Sequence, residues 1–514
     1  MSGVDIWTGR TAHALQLALR MTNEGFAERI GASVRTVAKW SANPNSVQVP
    51  DLQRALDTMY SRASAEEKER FARMTQSPEA APVALPEVPT SVGDSLRWID
   101  SAMAWPGGEA RKRTAALMGE MDEEAFRSQR YRRSGVSRSQ VARLLQSYYA
   151  VPDSSQYGFY SANVSGQAYE TSILTAQSWL ELRAPIDPTR PNLTFKPSAQ
   201  RAAIPFDEIT AHAAVMRIAG TLAFGTRLAN SPTYRLVGAT VGPSQVAGDL
   251  SVIDFIEYAL TFDLLENELL DAISTGVAEA AELPLRSRYL PDKTSRLGIA
   301  NRLCVGGPIS LTAIARNRHG RHDYVLLVQE RSGHVLNAAG RLAVIPKAFH
   351  QPLVDLDEDA NIVMTIEREM EEELFGRPEV DLDGNAQRLA DPMRPDRLSE
   401  PMRWLANQRN NESWHIECTG YGINAVSGNY EFPCLIVIND EAWWERYGGH
   451  IEANWEVGGL HRYSTLSAEL LESLIADQRW SNEGLFAFVE GLRRLAELDS
   501  ERVALPHIEV ELHK

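Results

Sequence analysis

The chain has 514 residues, of which 44% are hydrophobic and 23% are charged. This length exceeds what one hydrophobic core supports, and the composition excludes the disordered and fibrous classes. The net charge of −16 argues against a nucleic-acid partner for the surface as a whole, because a polyanion repels an acidic protein. The three cysteines are far apart in the sequence, which excludes a disulfide framework and a zinc finger. We therefore expect a multidomain globular protein.

The charge is unevenly distributed along the chain. Residues 1–75 contain ten Lys and Arg against eight Asp and Glu, a net charge of +2, so residues 76–514 carry −18. The start, MSGVDIWTGR, has no basic cluster followed by an apolar run, and no segment reaches the ~18 apolar residues of a membrane span. We expect a cytoplasmic protein without a membrane partner, whose acidic surface lies outside the first 75 residues.

Short helices are predicted at the N-terminus, where apolar residues recur at helical spacing. The predicted helices cover 12–20, 23–30, 34–40 and 52–60. Thr22 and Ser33 stand at N-cap positions, and Gly31 permits the positive φ of a sharp turn. This pattern predicts an all-α helix-turn-helix domain over residues 1–74.

The predicted helix after Ser33 has two different faces. Val37 and Trp40 are expected to pack inward, which leaves the polar side chains outward. A short helix with such an outer face can enter the DNA major groove and present donors to bases or phosphates. The candidate DNA-binding residues are Ser33, Arg35, Thr36, Lys39 and Asn43.

This segment resembles the bacterial phage-repressor-type (XRE-like) helix-turn-helix family. The matching positions are Phe26-Ala27, Gly31-Ala32-Ser33, Thr36-Val37 and Trp40, while Ser41 departs from the family, which often has Glu after Trp. The resemblance implies double-stranded DNA as the partner and binding as a homodimer, with dimer contacts made by the later domains. The alternative interpretation is a small helical bundle used for protein contacts.

A linker and a second domain are predicted next. Residues 75–91, TQSPEAAPVALPEVPTS, are rich in Pro and Ala and contain few large apolar groups, so they bury too little surface to fold. Residues 92–297 are predicted to form a mainly helical middle domain without an assigned role. Within it, GFYSANVSGQAY and NSPTYRLVGATVG are typical of turns between short extended pieces.

A basic segment begins at residue 126, in this middle region. FRSQRYRRSGVSRSQVARLL contains six arginines and no acid, and its order of turn and capped helix is similar to a second helix-turn-helix. One interpretation is a second DNA contact through Arg132, Arg133 and Arg138. The other is a solvated basic helix that packs on an acidic neighbouring domain.

Strands are predicted over most of residues 298–514. ISLTAIARN, DYVLLVQE, GRLAVIP and FPCLIVIN are apolar runs separated by turn residues. One predicted helix, 362–375, interrupts them, and another, 483–497, closes the domain. This order predicts an α/β domain with a mixed sheet sandwiched by helices.

The helix predicted over 362–375 carries a cluster of carboxylates. In TIEREMEEELFG, the spacing of Glu369, Glu372 and Glu373 places them on one helix face. Like charges at such spacings repel by roughly a few tenths of a kcal/mol per pair. A divalent cation such as Mg²⁺ would compensate them and can activate a water for attack on phosphorus, with Arg368 holding one carboxylate.

This text resembles the second half of the Nudix hydrolase box, and the strands, the segment around Trp455 and the closing helix extend the resemblance over about residues 300–498. The box residues that match are Arg368, Glu369, Met370, Glu372 and Glu373. The first half does not match. Val354 and Ala360 replace the family's Gly and Glu, Pro346-Lys347-Ala348 replaces a Pro-Gly-Gly turn, and Gly376 comes one residue late.

The Nudix resemblance implies a domain that binds a nucleotide-type or phosphorylated ligand through Arg368, Glu369, Glu372 and Glu373. The carboxylates fit a solvated acidic helix, a metal-binding or ligand-binding sensor, or an active hydrolase. We expect a transcription regulator whose C-terminal domain senses the ligand. The alternatives are a metal-dependent pyrophosphohydrolase of nucleoside diphosphate derivatives targeted by the helix-turn-helix, and a protein-interaction scaffold.

Overall fold

A computed structural model gives the fold of two compact units, residues 1–84 and 85–514. The division between them falls inside the predicted linker. The structure describes residues 6–40, 43, 46–47, 49–75, 89–121, 123–149, 155–180, 182–187, 192–197, 203–276, 283–291, 297–332, 338–377, 393–408, 413–451 and 457–514. Most of the predicted linker and the segment around Trp455 lie outside these ranges.

The first unit is all-α over its described residues, as predicted. Its helices are α1 (Gly9–Ala18), α2 (Asn23–Ile30), α3 (Val34–Ala38), α4 (Pro50–Arg62) and α5 (Ala65–Thr75). Trp7 is fully buried, packs against Tyr60 and Phe71, and donates from Nε1 to Asp57 Oδ1 at 2.7 Å. The segment before α1 is therefore fixed to α4 and α5.

The second unit begins with helices and continues with strands. The helices up to residue 149 are α6 (Thr90–Ala102), α7 (Glu109–Glu120), α8 (Glu123–Ser134) and α9 (Arg138–Tyr149). The next elements are β1 (Tyr157–Val164), β2 (Gln167–Ala176), β3 (Ala184–Pro185), β4 (Leu193–Phe195), α10 (Glu208–Phe224), β5 (Pro232–Gly242), β6 (Gln245–Asp254), α11 (Phe255–Ala259), α12 (Leu264–Ser274) and α13 (Pro284–Tyr289).

The remaining elements contain the predicted strands and both predicted helices. They are β7 (Gly306–Arg318), β8 (Arg321–Arg331), β9 (Leu342–Val344), α14 (Ile362–Glu369) with a π-helical turn at Met370–Leu374, α15 (Glu400–Asn407), β10 (Trp414–Cys418), β11 (Gly422–Asn424), β12 (Asn429–Ile438), α16 (Glu441–Tyr447), β13 (Val457–Ser464), α17 (Ala468–Ala476), α18 (Asn482–Leu498) and β14 (Ile508–His513). The predictions of strands and helices in this region are confirmed.

One large mixed sheet organises the second unit. Its described strands run in the order β13-β8-β7-β12-β11-β2-β1-β14, with β9 beside β8, and with β10 between β12 and β3. β7 and β12 are parallel, whereas the other described neighbours in this sheet are antiparallel. A smaller sheet has the order β4-β6-β5.

Both faces of the large sheet are covered by other elements. This explains why the sequence of β8 is a continuous apolar run. Val325 and Leu327 point to one face, where they share a core with Ile366 of α14. Leu326 points to the other face and shares a core with Phe488 of α18. A strand buried on both faces needs apolar residues at every position, because successive side chains point in opposite directions.

The predicted boundary between a middle and a C-terminal domain at residue 297 is wrong. β1, β2 and β3 precede that residue, yet they belong to the same sheet as β7 and β12. The prediction of a mainly helical middle region also needs correction. The first segment with a pattern of turns and short pieces forms β1 and the turn into β2, and the second forms β5, which pairs with β6. Within the described ranges, every helix is too short or too polar to span a bilayer.

Candidate functional site

The turn between α2 and α3 has the geometry that the sequence predicts. Gly31 ends α2 with φ +70°, a conformation that costs glycine little because it has no Cβ. Ser33 then caps α3, since its Oγ accepts a hydrogen bond from Thr36 N at 3.0 Å. The Phe26 and Trp40 rings meet edge to face at 6.0 Å, which holds the end of α3 against α2.

The candidate DNA-binding residues lie on the outside of α3. Arg35 and Lys39 are exposed and four positions apart, so they share one face, while Val37 and Trp40 are buried behind them. α3 ends at Ala38, two residues earlier than predicted, and Lys39 keeps a helical backbone conformation as its C-cap.

The three other candidates in this region have local hydrogen bonds. Exposed Ser33 and half-buried Thr36 bond to each other through their hydroxyls at 2.8 Å. Exposed Asn43 donates from Nδ2 to Lys39 O at 3.3 Å. The exposed surface of this region therefore contains two cations and several polar groups.

The basic segment of α8 and α9 does not present its arginines together. Arg132 is exposed, but Arg133 forms an ion pair with Asp271 of α12 at 2.5 Å. Arg138 is only 2% exposed and donates to Glu170 O, and its burial lowers the pKa to about 10. The prediction that Arg138 contacts DNA is therefore wrong. The ion pair of Arg133 with Asp271 agrees with the alternative interpretation, in which this basic segment packs on an acidic neighbour.

The predicted carboxylate cluster is divided between different partners. Arg368 donates from Nη2 to Glu369 Oε1 at 2.5 Å, and fully buried Glu373 accepts from Lys347 N at 2.9 Å. In the part of the chain that the structure describes, no three His, Cys, Asp or Glu side chains are grouped so that they could hold a metal ion. The arrangement of Glu369, Glu372 and Glu373 therefore does not fit the predicted Mg²⁺ site.

A large cavity lies beside this cluster, inside the second unit. Its volume is about 1350 Å³, above the roughly 300–1,000 Å³ of most small-molecule sites. α8, α10, α12, α14, β11, β12 and the start of α18 contribute to its wall. Arg368, Glu369 and Glu372 line it, as do Arg133 and Arg138, so the cavity brings together two sets of residues that the sequence suggested separately.

One end of the cavity is built around a buried ion pair. Lys347 Nζ lies 2.5 Å from Glu483 Oε1, and Asn424 donates to the other oxygen of this carboxylate at 3.3 Å. Burial opposes the ionisation of Glu483, but the charge and hydrogen bond of Lys347 outweigh it and lower its pKa. Glu483 is therefore ionised inside the protein, beside Lys347.

Two further glutamates line this end. Burial, together with the charge of Glu483, raises the pKa of Glu431 to about 8. Burial, together with Asp263 and Glu483, raises that of Glu266 to about 7. Carboxyl groups that titrate near neutrality inside a cavity are typical of functional sites, because a folded core gains nothing from them.

Sequence reasoning missed this group, because its members come from four distant segments. Glu266 lies on α12, Lys347 follows β9, Glu431 lies on β12, and Glu483 is in the first turn of α18. One signal was available, since Glu431 interrupts the apolar strand NYEFPCLIVI. A charge within a strand that is buried on both faces requires a partner.

Comparisons with protein-family models and with curated proteins find no match for this chain.

Proposed function

We propose that the protein is a sequence-specific DNA-binding transcription regulator whose second unit binds a small ligand in its cavity. The observation that carries this proposal is the outer face of α3, where Arg35 and Lys39 are exposed on the side opposite to Val37 and Trp40. Arginine at the start of such a helix can reach base edges, and lysine at its end can reach a phosphate.

The distribution of charge supports the same proposal. Residues 1–75 carry +2 within a chain of net charge −16. The phosphate backbone of DNA attracts residues 1–75 and repels the acidic remainder of the chain. This difference favours an orientation in which α3 faces the duplex. We expect binding as a homodimer, because one unit of this size makes few contacts and a second copy doubles them.

The cavity supplies the proposed regulatory input. A ligand that binds one arrangement of the protein more tightly than another changes DNA affinity by that difference in binding free energy and no more. The nucleotide-type or phosphorylated ligand that the Nudix resemblance implies would reach Arg368 on the cavity wall. The lack of convergence among Glu369, Glu372 and Glu373 makes ligand sensing the better proposal than hydrolysis.

The test is selection of bound fragments from a genomic library by the full-length protein, followed by affinity measurements on the selected site. Arg35→Ala and Lys39→Ala should each weaken binding by roughly 1–3 kcal/mol, and only Arg35→Ala should relax sequence preference. Arg62→Ala removes an exposed arginine at the end of α4 and should leave the affinity unchanged. Equal affinities for Arg35→Ala, Lys39→Ala and the wild type would overturn the proposal.

A further inference from the structure

The end of the cavity around Lys347 and Glu483 is lined by polar side chains of the sheet, among which Asn424 hydrogen-bonds to both Glu483 and Glu431. Asn429 and Glu431 are two residues apart on β12, so their side chains point to the same face. Asn424 of β11 lies directly opposite Asn429 in the antiparallel pair. These three side chains line the cavity, whereas Tyr430 and Phe432 point into the core on the opposite face.

The hydrogen bonds of Tyr258 determine which atom Asn429 offers to the cavity. Tyr258 hydrogen-bonds to Asp263, a carboxylate that is ion-paired with Arg217 at 2.8 Å and can only accept, so the Tyr258 hydroxyl donates there. The same hydroxyl accepts from Asn429 Nδ2 at 2.8 Å. Asn429 Oδ1 therefore remains an acceptor, and it has no partner among the described residues although Asn429 is only 7% exposed.

The charges at this end do not balance. Glu483 interacts with both Glu431 and Glu266, and Glu266 also interacts with Asp263. Three cations face them, namely Arg217, Lys347 and Arg341. Asp263 is paired with Arg217 and Glu483 with Lys347, while neither Glu266 nor Glu431 forms an ion pair within the described ranges. The group is one cation short when all its carboxyls are ionised.

We propose that the cavity binds an organic ligand through a protonated amine, which lies beside Asn429 and Glu431 of β12. The ammonium group donates to Asn429 Oδ1 and to the Glu431 carboxylate, and it supplies the missing positive charge. This inference rests on the proposed function and deepens it, because a ligand whose phosphate reaches Arg368 would also present an amine to Glu431 in the same cavity.

The energetics favour an amine over an anion at this position. A buried carboxylate without a cation is costly, and pairing it with an ammonium group restores the interaction that the free protein lacks. An anion beside Glu431 would also meet Glu483, and Lys347 is already engaged by Glu483. The raised pKa of Glu431 has the same origin, since burial beside Glu483 disfavours its charge until a cation arrives.

The test uses probes of equal length and different charge. Binding of 1,5-diaminopentane, 1,5-pentanediol and glutarate to the full-length protein, without DNA, is measured by calorimetry, with spermidine and glucosamine as further amines. We expect binding by amines and none by the diol or by glutarate. Tighter binding of glutarate than of the diamine, or no binding by any of the amines at millimolar concentration, would overturn the inference.

Variants locate the amine within the cavity. Glu431→Gln and Asn429→Leu should each weaken binding of the best amine by roughly 10- to 100-fold, as expected for one lost charge-assisted hydrogen bond. Glu330→Gln is the matched control, because Glu330 also lines the cavity but is paired with Arg479 at 3.6 Å. Equal weakening by Glu330→Gln and Glu431→Gln would contradict the assignment.

A second readout does not depend on the stability of the variants. A cation that binds beside Glu431 favours its ionised form, so the wild type should release close to one proton per amine at pH 7. Calorimetry in buffers of different ionisation enthalpy measures that number, and absence of release would count against the inference. DNA affinity is measured separately, so failure of amine binding leaves the role of α3 intact, and failure of DNA binding leaves the amine site intact.

Discussion

Glu431 illustrates how one residue can reveal a site in an otherwise apolar strand. It lies between Tyr430 and Phe432 in β12, is 6% exposed and forms no ion pair within the described ranges. An apolar residue at this position would fill the wall at lower cost, since burying a carboxyl group is unfavourable unless a partner compensates it. This cost is consistent with the amine site proposed beside Glu431.

Stability should fall with rising pH because of this residue. The pKa of Glu431 is about 8 in the folded protein against an ordinary value of 4.5, so its contribution is complete below about pH 4.5 and is lost as the pH rises through 8. Glu431→Gln should therefore gain stability relative to the wild type between about pH 5.5 and 8.5. Urea unfolding of the wild type and of Glu431→Gln at these two pH values measures the difference, and an equal stability difference at both would contradict the expectation.

Local sequence patterns predict the position and burial of some residues and fail for others. Gly31, Ser33, Val37 and Trp40 follow from turn, cap and periodicity, and the structure places each as predicted. Arg138 has the same local context as an exposed helix residue, yet β2 covers it and its guanidinium bonds to a strand carbonyl. Burial by a distant element leaves no trace in the neighbouring sequence.

At the scale of elements, the turn between α2 and α3 depends on one backbone conformation. Gly31 has φ +70° and open space where a Cβ would be, so Gly31→Ala should lower the free energy of unfolding by about 1 kcal/mol through backbone strain alone. Gly25 lies within α2 with only ordinary contacts at its Cβ position, so Gly25→Ala should be stabilising by up to about 1 kcal/mol. Chemical denaturation measures the free energy of unfolding of both variants. Changes of the same sign for Gly31→Ala and Gly25→Ala would contradict the role given to Gly31 in the turn.

The elements of the large sheet were predictable where their sequences are strongly patterned. β7, β8 and β12 are long apolar runs, and periodicity identified all three. The segment 158–169, which contains β1 and the start of β2, has the pattern of turns and short pieces because Ser and Asn interrupt its apolar residues. Ser161, Thr171 and Ser172 are nevertheless buried. The hydroxyls of Thr171 and Ser172 donate to Tyr160 O and Asn424 Oδ1, which offsets their burial, and β-propensity does not report such bonds.

At the scale of the whole molecule, the second unit depends on pairing between distant segments. Ile173 and Leu174 of β2 pair with Asn424 and Ile423 of β11. Hydrophobic pattern cannot specify such a partner, because many strands in a chain have the same period. The sequence therefore indicated most of the strands but not the sheet that they form, and it divided one unit into two domains.

This architecture predicts how fragments behave. A fragment of residues 89–514 retains every described strand of the large sheet and should unfold cooperatively. A fragment of residues 298–514 lacks β1, β2 and β3, which leaves β11 and β14 without neighbours that they have in the full chain. Near-ultraviolet circular dichroism and thermal unfolding should show a fixed tertiary structure for the first fragment and none for the second. Cooperative unfolding of the 298–514 fragment would restore the boundary at residue 297.

The role proposed for α3 is to bind a nucleic acid duplex through its exposed face. Its most direct test is the dependence of DNA affinity on salt concentration, measured by fluorescence anisotropy for the full-length protein and for Lys39→Ala. We expect affinity to fall steeply with added salt, and the slope of log affinity against log salt to be smaller by about one for Lys39→Ala, because one phosphate contact is lost. A salt-independent affinity, or identical slopes for the wild type and Lys39→Ala, would contradict DNA binding through α3.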